Sequence, residues 1–197
     1  MTEAVTHLLY LHGFRSSPQS AKAVRMQHWV ATHRPGLTWW CPQLPPSPRQ
    51  AIDRVLAGTA AWPRARMAVI GSSLGGFYAT VLAERTGCRA VIINPAVAPA
   101  RDLAAYVGEQ TAFHDDTQRF VFERTYLDEL RELDPGPITE PHRYLGLFAM
   151  GDELLDWREM VARYPHAQVH VIPGSDHGLS DFDDHLGTVL AFLGLDR

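Results

Sequence analysis

The sequence predicts an α/β fold: a mostly parallel sheet of about six strands with helices on both faces. Three observations carry this. Short apolar runs alternate with helix-period segments along the chain, the pattern of a parallel sheet joined by crossover helices. Several of those runs are apolar at consecutive positions, as strands covered on both faces must be. The third run ends in glycine and passes directly into a helical pattern, with a serine at the turn.

The strand candidates, in order, are Leu8–Leu11, Leu37–Trp40, Met67–Ile70, Ala90–Ile93, Tyr144–Ala149 and Val169–Ile172. The helices between them have readable ends. Ser17-Pro18 and Ser47-Pro48 each place a capping hydroxyl before a proline, which suits the first helical position because its missing N–H has no partner there anyway. The first helix carries Ala23, Met26, Trp29 and Val30 and stops before Pro35-Gly36. The second carries Ile52, Val55 and Leu56. A third starts at Gly75-Gly76, buries Tyr78, Val81 and Leu82, and ends at Gly87. The last begins near Ser180 and carries Phe182, Leu186, Val189, Leu190 and Leu193.

Between Pro99 and Pro141 the rhythm breaks. No strand is read there, only helical patterns through Phe120, Tyr126, Leu127 and Leu130, closed by Pro135-Gly136-Pro137. Two readings stay open for residues 100–140: a helical lid over an active site, or crossover helices packed on the sheet. Pro42, Pro45, Pro46 and Pro48 mark a short stiff loop.

The 197 residues suffice for one well-buried core, so a single domain over 1–197 is expected. With 46% hydrophobic and 20% charged residues the composition is globular rather than disordered. The formal charge of −4 is spread among interspersed residues, and no Lys/Arg cluster suggests a nucleic-acid partner. Cys41 and Cys88 form neither a disulfide framework nor a CxxC pair, which suits a reducing compartment. Met1–Tyr10 lacks the charged leader, long apolar run and cleavage site of a signal peptide, and no run approaches a membrane span. A cytoplasmic location without membrane contact is therefore expected.

Gly71-Ser72-Ser73-Leu74-Gly75 matches G-x-S-x-G. Composition alone yields such a match in roughly 5–10% of chains this long, so its setting matters more than the pattern. A nucleophilic serine must sit on a sharp turn at the top of a sheet, where side chains two residues away on either side would collide. Met67–Ile70 before it and Phe77–Arg85 after it supply that strand and helix. The alternative, a phosphate-binding turn, lacks both G-x-G-x-x-G and G-K-[ST].

A serine hydroxyl needs a base, and the base an orienting carboxylate, in the chain order Ser, acid, His. His177 lies in the turn Pro173–Gly178 after the last strand. Asp152, Glu153 and Asp156 follow the fifth strand. Asp156 reads as the start of a capping box with Glu159, and Asp152 lies nearest the strand end, so Asp152 is favoured as the acid. Asp176 adjoins the histidine and reads as a turn residue. Acyl transfer also needs two N–H donors for the oxyanion. Leu74 supplies one, and Phe14, in the His12-Gly13-Phe14 loop after the first strand, the other.

With those residues in view, the chain resembles the YqiA-type esterases, a small bacterial branch of the α/β-hydrolases. The resemblance rests on Tyr10–Phe14 with Ser16-Ser17-Pro18, Pro42–Pro46, Gly71–Gly76, Asn94–Val97, Gly151–Glu153 with Leu155-Asp156, and Asp176-His177. It implies an α/β-hydrolase fold and hydrolysis of small, short-acyl carboxylic esters. The expected mechanism is a Ser73–His177–Asp152 triad, with no metal or organic cofactor. Residues 100–140 match the family poorly. Two rivals remain: a thioesterase or peptidase using the same triad, and a non-catalytic binding protein on the same fold.

Overall fold

A computed structural model describes residues 4–196. In chain order the elements are β1 (His7–Leu11), α1 (Ala21–His33), β2 (Thr38–Trp40), α2 (Pro48–Gly58), β3 (Met67–Ser72), α3 (Leu74–Thr86), β4 (Arg89–Ile93), α4 (Pro99–Asp102), β5 (Gly108–Thr111), β6 (Arg119–Phe122), α5 (Thr125–Leu133), β7 (Tyr144–Ala149), α6 (Trp157–Arg163), β8 (Gln168–Ile172) and α7 (Phe182–Leu193). All six predicted strands form, in one parallel sheet of order β2-β1-β3-β4-β7-β8.

The strands' alternation divides the core in two. Leu9, Leu11, Val69, Ile92 and Phe148 face one side, where α2, α3 and α5 pack through Ile52, Val81 and Leu130. Leu8, Tyr10, Ile70, Ile93 and Leu147 face the other, against α1 and α7 through Met26, Val30, Leu186 and Leu190. β3 and β7 are buried at every position, which is why they read as unbroken apolar runs. β8 is an edge strand and is largely exposed.

Three local expectations are corrected. Ser17-Pro18 opens a turn, not the helix. Ser17 Oγ accepts the Gln19 N–H at 3.1 Å and its carbonyl the Ser20 N–H at 3.0 Å, so α1 starts only after Ser20. Ser47 does cap α2, accepting from Gln50 at 3.2 Å with Pro48 at the first turn. Asp156 caps α6 through the Arg158 N–H at 2.9 Å. The reciprocal half of that capping box is not made, because Glu159 instead takes both guanidinium nitrogens of Arg101, at 3.0 and 2.6 Å.

The third correction lies between Pro99 and Pro141. Residues 108–122 are not helical; β5 and β6 form an antiparallel hairpin pairing Gly108 with Phe122 and Thr111 with Arg119. Phe120 and Phe122 turn inward, and Arg119 and Val121 outward, a period of two over only four residues. The helical character expected of the segment is confined to the short α4, a 3-10 turn at Ala104–Tyr106 and α5. Of these, α5 docks at the start of α2, where Glu129 accepts from the Ser47 hydroxyl at 2.7 Å and the Arg49 N–H at 3.0 Å, placing a carboxylate at the positive end of that helix.

Candidate active site

Parallel strands end together, so the loops after β1, β3, β7 and β8 meet along one edge of the sheet. Ser73 sits between β3 and α3 with φ 57° and ψ −123°, a conformation L side chains rarely adopt. The flanking glycines make the turn possible. A Cβ on Gly71 would stand 2.2 Å from the Gly75 carbonyl oxygen, and one on Gly75 would stand 2.0 Å from that of Leu11. The elbow is pinned by Ser73 N–H donating to Ile93 O at 3.0 Å and Ala96 N–H donating to Ser73 O at 3.1 Å.

His177 Nε2 lies 3.0 Å from Ser73 Oγ, and His177 Nδ1 lies 2.8 Å from Asp152 Oδ2. The Asp152 side chain is fully buried, and its other oxygen accepts the Leu154 and Leu155 amides at 2.9 and 2.8 Å. The competing carboxylates stand elsewhere. Glu153 accepts the main-chain N–H of His177 at 3.1 Å, and Asp156 is committed to its helix. Asp176 accepts the Ser180 N–H at 2.9 Å, as a turn residue does.

Gly13 passes against the serine: a Cβ there would be 3.1 Å from Ser73 Cβ. His12 holds that loop. Its Nε2 accepts the Leu44 N–H at 3.1 Å and its Nδ1 lies 3.0 Å from Gly13 O. That pair of contacts fits the neutral ring with its proton on Nδ1, and burial pulls the His12 pKa below its ordinary value. The main-chain N–H groups of Phe14 and Leu74 donate to no acceptor among the described residues. Two free amides on the two loops beside Ser73 are what an oxyanion would require.

The family model described as "Uncharacterised protein family (UPF0227)" matches residues 7–194. The chain belongs to this family, the YqiA family. The UPF0227 match covers every residue named above as a site candidate. Solved structures show the same α/β-hydrolase fold. A protein from Agrobacterium vitis S4 is 18% identical with a TM-score of 0.72, over 97% of this chain and 91% of that one. Mouse alpha/beta hydrolase domain-containing protein 10 is 17% identical with a TM-score of 0.67, over 96% and 92%. A structure from work on two metagenome-derived lipolytic enzymes, LipS and LipT, is 18% identical with a TM-score of 0.65, over 97% and 95%.

Asn94 was not singled out from sequence as a site residue. It follows β4 with φ 39° and is fully buried. Its Nδ2 donates to the Asp176 and His177 carbonyls, both at 3.0 Å, and its Oδ1 accepts the Ala149 N–H at 2.8 Å. One amide therefore ties the loop carrying His177 to the strand that delivers Asp152. Asn94→Ala would strip buried carbonyls and an amide of their partners, a loss of about 2–4 kcal/mol. We expect a Tm lower by roughly 5–15 °C. Below that Tm, reaction of Ser73 with a phosphonate should also slow, a readout that lost packing alone would not move.

Ser73 and His177 line a cleft of about 710 Å³. One wall is apolar, with Leu103, Tyr106, Phe113, Leu154 and Leu155; Lys22, Ser20 and Glu153 also line it. The hairpin packs against the Phe14 loop. Phe14 meets Tyr106, Phe120 and Phe122 edge-on, with ring centroids 5.6, 6.0 and 5.1 Å away. Arg15, at φ 60°, donates from Nε to the Thr111 carbonyl at 2.6 Å, lies 4.3 Å over the Phe113 ring and accepts the Phe113 N–H at 2.8 Å. Among the described residues no three His, Cys, Asp or Glu side chains are grouped to hold a metal ion, and no helix is long and apolar enough to cross a membrane.

Proposed function

We propose that the protein is a serine hydrolase of carboxylic esters, acting on small or short-acyl substrates through an acyl-enzyme. The observation that carries this is the continuous chain Ser73 Oγ to His177 Nε2 at 3.0 Å and His177 Nδ1 to Asp152 Oδ2 at 2.8 Å, on an elbow strained at the serine. Backbone strain held at a half-buried serine in a cleft points to a functional role.

The steps follow from those contacts. Ser73 Oγ attacks the ester carbonyl as its proton passes to His177 Nε2. Asp152 holds the ring with Nδ1–H toward itself and stabilises the imidazolium. The Phe14 and Leu74 amides receive the negative charge on the former carbonyl oxygen. The tetrahedral species collapses as His177 protonates the departing alcohol. Water, deprotonated by the same nitrogen, then releases the acid and restores Ser73. Each step uses groups of this chain and water. The cleft's volume, with an apolar wall of five side chains, suits a short acyl or alkyl group. The same fold in lipolytic enzymes is consistent with this reading.

The test is labelling with a fluorophosphonate, then peptide mapping, beside a panel of matched ester, thioester and amide substrates. Modification at Ser73 and preference for the ester support the reading. A folded protein that does not label removes catalysis altogether. Labelling with preference for thioester or amide retains the triad and reassigns the substrate.

A further inference from the structure

The cleft contains a cation with no counter-ion. Lys22, in the first turn of α1, reaches the cleft wall beside Gly178, the residue after His177. Its ammonium donates to the Gly178 carbonyl. Of its three donors that is the one with an acceptor among the described residues, and no carboxylate pairs with it. Asp176 acts on it only through space. Burial pulls the ammonium down to about 8 from 10.5, and Asp176 offsets only part of this. The half-buried group is charged at neutral pH.

Each other charged side chain lining the cleft has a partner for at least one of its atoms. Arg15 is spent on the Thr111 carbonyl and the Phe113 ring. Asp102 pairs with Arg101 at 2.8 Å through Oδ1, its Oδ2 being buried without a hydrogen-bond partner, and Glu153 accepts from the His177 main chain. Ser20, just before α1, also lines the cleft, its hydroxyl buried beside that of Tyr10. The start of a 13-residue helix lends this corner a positive field of the same sign. An ammonium short of acceptors, beside a catalytic base, is a receptor for an anionic group on the substrate.

We propose that Lys22 binds a carboxylate carried by the substrate, so that the preferred substrates are half-esters of small dicarboxylic acids or esters otherwise bearing one carboxylate. This rests on the esterase reading above. One compact ammonium matches one negative charge. A doubly charged phosphate would need the second cation, or the guanidinium fork, that the engaged Arg15 does not offer.

The test compares 4-nitrophenyl hemiglutarate with 4-nitrophenyl pentanoate, esters of similar length differing in one charge. The wild-type protein should favour the hemiglutarate in kcat/KM. Lys22→Met, which keeps the stem and removes the charge, should lower the ratio of the two kcat/KM values by about 10- to 100-fold, mainly through KM. Lys22→Arg should restore much of it. A ratio unchanged in Lys22→Met, with the neutral ester still hydrolysed, overturns the carboxylate site and leaves the esterase reading standing. A second arm needs no turnover: monomethyl glutarate binding to the Ser73→Ala protein by calorimetry, with and without Lys22→Met. Binding that depends on Lys22, together with a wild-type protein that hydrolyses neither ester, would retain the site and sink the esterase. Binding unaffected by Lys22→Met overturns the site.

Discussion

Ser73→Ala is expected to abolish phosphonate labelling and to lower ester turnover by about a million-fold, the scale on which losing a triad nucleophile acts. The fold should survive, because alanine inherits the same backbone and removes only a hydroxyl at the cleft. Ser73→Gly should be equally inactive and more stable than wild type. Glycine enters φ 57°, ψ −123° without the clash a Cβ causes, so about 1–2 kcal/mol of strain is released. Thermal melts should then show a rise of roughly 2–8 °C. A fall in Tm for the glycine variant would show that the elbow is not strained as its dihedrals indicate. Undiminished labelling of the alanine variant would move the nucleophile elsewhere.

Asp152→Asn should cost about 10⁴-fold in kcat, with little change in fold. The local bonding makes the direction clear. Oδ1 of Asp152 is held by the Leu154 and Leu155 N–H groups, so an asparagine would keep its oxygen there and turn its NH₂ toward His177. Nδ1 would then accept rather than donate, Nε2 would carry the proton, and the ring could not take one from Ser73. Glu153→Gln keeps an acceptor for the His177 main chain and should lose less than tenfold. Asp156→Asn keeps a capping side chain and should stay within about twofold of wild type. Parallel kcat measurements on the three variants decide among the carboxylates that the sequence offers. An Asp152→Asn protein as active as the other two would remove it from the acid role.

Much of this was readable because local and global signals agree. β3 and β7 are buried on both faces and therefore apolar throughout, and the glycine pair around Ser73 answers a steric demand confined to the elbow. His177 and Asp152 each follow a strand, so topology alone carries them to one edge. The hairpin was not legible. β5 reads Gly-Glu-Gln-Thr with no apolar face, and Phe120 stands seven residues from Leu127, a spacing that also fits a helix. The strands are held by Phe14 and Arg15, about a hundred residues away in sequence, which no local window contains. Asn94 escaped for a related reason. An asparagine before a proline is ordinary turn chemistry, and only its burial and its partners at 149, 176 and 177 distinguish it. The Ser17-Pro18 signal was real but ended in a turn.

Asn94 also waits for its partners as the chain is made. A ribosome delivers the chain from its N-terminus, so the serine, its elbow and both oxyanion loops emerge while β7, β8 and the histidine turn are still unmade. The Asn94 amide is without its partners until β7 and the turn after β8 have been made. A truncated product released early would bear the serine but neither base nor acid. On the proposed mechanism, such a product would hold a nucleophile that nothing activates.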